Sequence, residues 1–192
     1  MDKVFKQGEF QAYSNLDLNE ARSYIKEYYL YGKKPVTVFI SHKHEDLDDL
    51  KGVLGFLEKE YGVKVYIDSR DYTMPKTTSA QTATNIKSRI SQCNKFILLA
   101  TNGAIESKWC NWELGYGDAK KFKNNIALFP MRPTFSSSYK GNEYLLIYPY
   151  IKFSDGTERL TNGQAIHRGY YVVTYEDCYF KYISLKDWFD QL

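Results

Sequence analysis

Cysteine is scarce. Cys93, Cys110 and Cys178 are odd in number and far apart in 192 residues, which suggests neither a disulfide framework nor a zinc site and fits a reducing compartment. No run approaches the roughly 18 apolar residues of a membrane span. The opening MDKVFKQGEFQAYSNLD has no apolar signal core. The expectation is a soluble cytoplasmic protein with no membrane contact. A net charge of +3 is small and dispersed, and no Lys/Arg stripe is interleaved with aromatics, so no nucleic-acid partner is expected. Lys120, Lys121 and Lys123 read as the solvated end of a helix. Internal repeats and low-complexity linkers are missing too. What is abundant is aromatic surface: 17% of residues, 18 of them tyrosine, a composition that favours broad amphipathic faces and self-association.

The length suits one domain with additions. Leu18, Ala21, Ile25 and Tyr28 recur at helical spacing, so residues 16 to 31 read as a leading helix ending at Gly32. PVTVFIS is a buried strand. Leu47, Leu50, Leu54, Leu57 and Tyr61 mark a helix that begins near Asp46 and ends at Gly62, before a second strand, VKVYI. After the loop DSRDYTMPKTTSAQT, Ala83, Ile86 and Ile90 line a helical face. KFILLA, an aromatic helix and NIALFP follow. This alternation predicts an α/β fold: a flavodoxin-like parallel sheet of four or five strands in order 2-1-3-4-5, with helices on both faces. The polar break RPTFSSSYKGNE (132 to 143) divides the chain into a helical lead at 1–34, a core domain at 35–131 and a C-terminal extension at 132–192. In the extension, YLLIYPYIKF and YYVVTY read as strands and SLKDWFDQL as a last helix. Two strands bury too little to stand alone, so the extension is expected to pack on the core.

In open parallel sheets, ligands bind beyond the carboxyl ends of the strands. Three polar stretches fall there: SHKHED (41 to 46), DSRD (68 to 71) and TNGAIESKWCNWE (101 to 113). The last ends on Glu113, an acid among Trp109, Trp112, Cys110 and Tyr116. Trp109 suits an apolar pocket wall. Tyr116, one turn beyond Glu113, faces either ligand or core, and Trp112 and Cys110 read as core. Lys43, His44 and Arg70 supply charge for phosphates. Asp68 caps its loop or binds ribose; Arg70 binds phosphate or pairs with Asp71. His42-x-His44 has no clustered third ligand, so no metal is expected. Ser41 and His42 point to opposite sides of a strand end and form no dyad, which leaves both as ligand-contact candidates. Asp46 reads as the N-cap of the helix carrying Asp48 and Asp49.

Taken together, VFISHKHED, VKVYIDSRD, ISQCNKFILLAT and SKWCNWELG resemble the Toll/interleukin-1 receptor (TIR) domain family, in order and spacing, over about residues 35 to 131. The resemblance implies cleavage of NAD at its nicotinamide glycosidic bond, with Glu113 as the catalytic carboxylate and NAD as substrate, so that no cofactor is required. It also implies self-association and, by likeness to the bacterial Thoeris antiphage proteins, a nucleotide product read by a separate effector. Two departures stand out. The second loop carries Met74-Pro75 without the glycine often found beside that proline, and His42 replaces a common aromatic. Two other functions stay open: a non-catalytic TIR adaptor, and a nucleoside deoxyribosyltransferase-like enzyme on a similar sheet.

Overall fold

The computed structural model describes residues 4–14, 35–67, 80–121, 123–176 and 178–191. The expected leading helix at 16–31, the DSRD stretch and Met74-Pro75 lie outside the described residues.

Val38 to Ser41 supply a run buried on both faces, and this run forms β2 (Thr37–Ser41), preceded by a short β1 (Phe5–Lys6). Beside β2 lie β3 (Lys64–Tyr66) and β4 (Lys95–Ala100), and β5 (Ile126–Arg132) follows β4, all parallel. Every residue of β4 is buried, as a strand sandwiched between helical layers requires. Period-two alternation sorts the side chains. Val38, Ile40, Ile97, Leu99 and Phe129 face one hydrophobic cluster, whereas Phe39, Phe96, Leu98 and Leu128 face the other.

Helix α1 (Leu47–Tyr61) covers the first face with Leu50, Val53 and Leu57. It stops at Gly62, whose φ of 64° suits a residue without a Cβ and whose N–H donates to the Glu58 carbonyl. Helices α2 (Ala80–Gln92), α3 (Asn102–Glu106) and α4 (Lys108–Lys121) cover the second face, with Ile86, Ile90, Ala104, Cys110 and Leu114 inward. The solvated end expected for α4 is corrected at Lys121. Its side chain is buried, and its ammonium donates to the carbonyls of Ser91, at 3.0 Å, and Cys93. The lysine stem crosses apolar surface and its head satisfies carbonyls at the end of α2.

The extension differs from its sequence reading. Residues 144 to 147 lie in α5 (Asn142–Ile147), not in a strand, and only Leu145 of that helix is buried. Short apolar runs do not distinguish helix from strand by period, and the residue before Pro149 is pushed to extended backbone, which ends the helix at Tyr148. Strand β6 (Tyr150–Ser154) then pairs parallel with β5, while β7 (Gly169–Glu176) and β8 (Tyr179–Ser184) add an antiparallel hairpin. The sheet order is β3-β2-β4-β5-β6-β7-β8, with β1 also on β5. The wholly parallel sheet expected from the sequence is therefore a mixed one. A hairpin needs no helical crossover, so its antiparallel strands carry no alternating βα signal. The result is an α/β fold flanked by helices, consistent with a Rossmann or flavodoxin-like arrangement. Helix α6 (Leu185–Asp190) returns Trp188 and Phe189 to the first cluster. None of the helices among the described residues is long and apolar enough to cross a membrane.

Candidate functional site

Strand β2 ends at Ser41, opposite Leu98 of β4, and the chain leaving β4 passes through α3 into α4. That helix lies close to the sheet: a Cβ at Gly117 would meet the Phe96 ring at 2.9 Å. Glu113, one turn earlier on the same face, is only 2% exposed, and the Ser41 hydroxyl donates to its Oε2. A carboxylate at such depth has left most of its hydration behind, so its hydrogen-bond donors decide how well its charge is held.

Cys110 sits one turn before Glu113. Burial pushes its thiol pKa up, with the Ser107 and Ser41 hydroxyls working against that shift and Glu113 and Asp46 adding to it. The thiol is therefore within electrostatic reach of two buried carboxylates. The second, Asp46, occupies the N-cap position of α1, yet its side chain accepts nothing from that helix. Its Oδ2 instead accepts from the Thr101 hydroxyl at 2.6 Å, and its Oδ1 faces the Gln7 side-chain amide at 3.4 Å. Burial raises the Asp46 carboxyl above the usual carboxylate range, and the Thr101 hydrogen bond opposes this. In the sequence Asp46 reads as a local cap, and Thr101 does not stand out as its partner. The available signal is that Thr101 opens TNGAIE in an N-cap position, its own hydroxyl accepting from the Ala104 amide at 3.0 Å.

The other candidates divide. His42 is buried beside Ser41, and His44 is exposed on the turn that follows. Lys43 lies along α3: a Cβ on Gly103 would meet its Cδ at 3.0 Å, and its ammonium pairs with Glu45 at 3.7 Å. Trp109 and Trp112 are both half-buried with ring centroids 4.9 Å apart, so the expected division into wall and core does not appear in their burial. Tyr116 turns toward α2, where its hydroxyl shares a hydrogen bond with Ser91 at 3.1 Å and the Lys87 ammonium lies 5.6 Å from its ring. Asp68 and Arg70 lie outside the described residues. Among the described residues, no three His, Cys, Asp or Glu side chains cluster so as to hold a metal ion.

Residues 38–166, more than half the chain, match the family TIR_2, described as the TIR domain. The chain belongs to the TIR domain family. The match runs past the polar break at 132–143, through β6 and up to the β7 hairpin. Among relatives, a Bacillus cereus (strain MSX-D12) protein described as "Probable 3′ cyclic ADP-D-ribose synthase ThsB′" is 30% identical over 144 residues, 73% of this chain and 66% of that protein. A Cytobacillus dafuensis protein described as "Putative cyclic ADP-D-ribose synthase TIR2" is 30% identical over 87 residues, 44% of this chain and 23% of that protein. This TIR chain thus spans about two thirds of the length of the first relative and under a quarter of the second.

Proposed function

We propose that this TIR domain breaks the nicotinamide glycosidic bond of NAD, with Glu113 as the catalytic carboxylate, and closes the remaining ADP-ribosyl unit into a cyclic nucleotide. That product would act as an immune signal to a separate effector in antiphage defence. The observation that carries the reading is the buried Ser41–Glu113 pair at the carboxyl ends of β2 and β4. Two relatives described as cyclic ADP-D-ribose synthases support cyclisation over simple hydrolysis.

The chemistry asks little of the protein in acid catalysis. When the bond between the ribose C1′ and the pyridinium nitrogen breaks, both electrons stay on the nitrogen and nicotinamide leaves neutral. The ribose carbon becomes oxocarbenium-like, and a carboxylate in a dry site stabilises that charge strongly. A nucleophile on the adenosine half then bonds to C1′, with loss of its proton if it is a hydroxyl; attack by water instead gives ADP-ribose. In this reading Ser41 and His42 line the reacting end and Trp109 is an apolar wall. Lys43, His44 and Arg70 are assigned to the phosphates and Asp68 to a ribose, and Tyr116 is assigned a ligand contact from one turn beyond Glu113. Activity requires self-association of the TIR domain.

The deciding experiment incubates the protein with NAD and follows nicotinamide by chromatography and the second product by mass. A cyclic product is one water lighter than ADP-ribose. Glu113→Gln keeps the side-chain shape and removes the charge, so nicotinamide release should fall by about a hundredfold or more while the fold, followed by circular dichroism, persists. Wild-type turnover by Glu113→Gln would remove the catalytic assignment. A wild type that never cleaves NAD but assembles with a TIR partner would establish the adaptor. Cleavage of deoxynucleosides with indifference to NAD would establish the transferase.

A further inference from the structure

An aspartate at a helix N-cap ordinarily accepts from the amides of the first turn, a use that stabilises the helix locally. Asp46 has the position without the bonds, and its carboxylate is carried inward to 8% exposure. Its hydrogen-bond donors are neutral, a hydroxyl and an amide, and no ion pair to it forms among the described residues. Holding a buried carboxylate on neutral donors works against stability, and such local conflicts concentrate at functional sites.

The contacts beyond Asp46 lead in one direction. Thr101, which donates to Asp46, is the N-cap of α3 and accepts from the Ala104 amide. Helix α3 is tied to α4 by Asn111, whose amide group donates to the carbonyls of Ile105 at 2.8 Å and Ser107 at 2.9 Å. The Ser107 hydroxyl accepts from the Cys110 amide at 3.3 Å, one turn before Glu113. On the other side, Gln7 bridges Asp46 and Asp49, and the Gly8 amide donates to Asp49 at 2.6 Å. The N-terminal segment that carries β1 is thereby fastened to the same carboxylate pair.

We propose that Asp46 is a positioning residue for the Glu113 site: through the Thr101 hydroxyl, its carboxylate fixes the cap of α3 and, through the Asn111 bonds, the entry of α4 that carries Glu113. The inference rests on the reading of Glu113 as the catalytic carboxylate, but its physical content is the order of residues 102–113. Asp46 does not touch the reacting atoms in this account. It sets where Glu113 stands.

The test compares Asp46→Ala, Asp46→Asn and Thr101→Val in the full chain, with two readouts. The first is amide hydrogen exchange across residues 102–113 in the absence of NAD; the second is kcat and KM for nicotinamide release. Asp46→Ala and Thr101→Val should each speed exchange in this segment about tenfold or more, and lower kcat by a similar factor with KM little changed. Asp46→Asn retains an acceptor oxygen for Thr101 and should recover most of both. Unchanged exchange in 102–113 alongside a general loss of stability would overturn the proposal. So would an Asp46→Asn variant as slow as Asp46→Ala with exchange intact, because charge and not position would then be acting. Should Asp46→Ala fail to fold, Asp46→Leu takes its place, since it keeps the branched shape of Asp46→Asn without an acceptor and leaves the Thr101 cap of the Ala104 amide intact. Should the wild type release no nicotinamide, the NAD reading fails and the exchange comparison still decides the positioning.

Discussion

The Ser41 hydroxyl donates a hydrogen bond to Glu113 across 72 residues of sequence, and both side chains are almost fully withdrawn from water. Replacing Ser41 with alanine would leave a buried carboxylate short of a donor, a loss worth about 1–3 kcal/mol. We expect Ser41→Ala to lower nicotinamide release at neutral pH by about tenfold to a hundredfold, measured at saturating NAD, with less effect on the melting temperature than a core truncation. At this scale the sequence is legible where one residue stands out from its surroundings. Glu113 is an acid in aromatic company, and Ser41 closes an apolar strand. The meeting of two such residues is not legible. Asp46 and Thr101 are 55 positions apart, and an aspartate before a helix carries the same signature whether it caps that helix or reaches the cap of another. Lys121 shows the same limit, since its carbonyl partners lie at and just beyond the end of a different helix.

Among elements, the N-terminal segment and α1 approach each other closely. A Cβ at Gly52 would meet the Phe10 carbonyl oxygen at 2.6 Å, and one at Gly55 would press at least as hard on the Tyr13 carbonyl oxygen. Helix propensity favours alanine over glycine by about 1 kcal/mol. Overpacking against backbone costs about 1–3 kcal/mol and should prevail. Gly52→Ala and Gly55→Ala should therefore lower the urea midpoint with the m-value unchanged. Gly115 is the internal control: it is exposed on α4, and a methyl group added there would meet nothing within 4 Å, so Gly115→Ala should raise the midpoint by up to about 1 kcal/mol in stability. Equal responses at all three positions would contradict this account. The βα alternation of the core is readable because apolar runs and helical stripes differ in period. The two-residue β1 and the six-residue α5 are too short to express a period, and β8 has exposed and half-buried residues but no fully buried ones.

Across the whole molecule, Lys95 links the central strand to the last helix. It is fully buried at the start of β4, and its ammonium donates at 2.6 Å to Asn125 Oδ1 and at 2.6 Å to the Gln191 carbonyl, 4.8 Å from the Trp188 ring. Burial brings its pKa down to about 8 from an ordinary 10.5. Between those values the unfolded chain holds a proton that the folded chain has released, so the Lys95 contribution makes stability rise with pH through that window. Burial of Cys93, which moves its thiol from 9.0 to about 11, acts in the opposite sense above pH 9. The contribution is therefore read as a difference. Denaturant unfolding of wild type minus Lys95→Met should move in favour of wild type from about pH 8 to pH 10.5, and a flat difference would refute the assignment.

The contact of Gly117 with Phe96 has a consequence for how readily this site can change. With only 2.9 Å between a built Cβ and the Phe96 ring, position 117 acts as a shim between helix and sheet, and a larger residue there is expected to push α4, which carries Glu113, away from the strand that ends at Ser41. A displacement of about 1 Å is enough to alter turnover by about a hundredfold. If Glu113 carries the proposed reaction, position 117 is a dial on its rate, and drift there would silence or revive the site while the proposed carboxylate stayed in place.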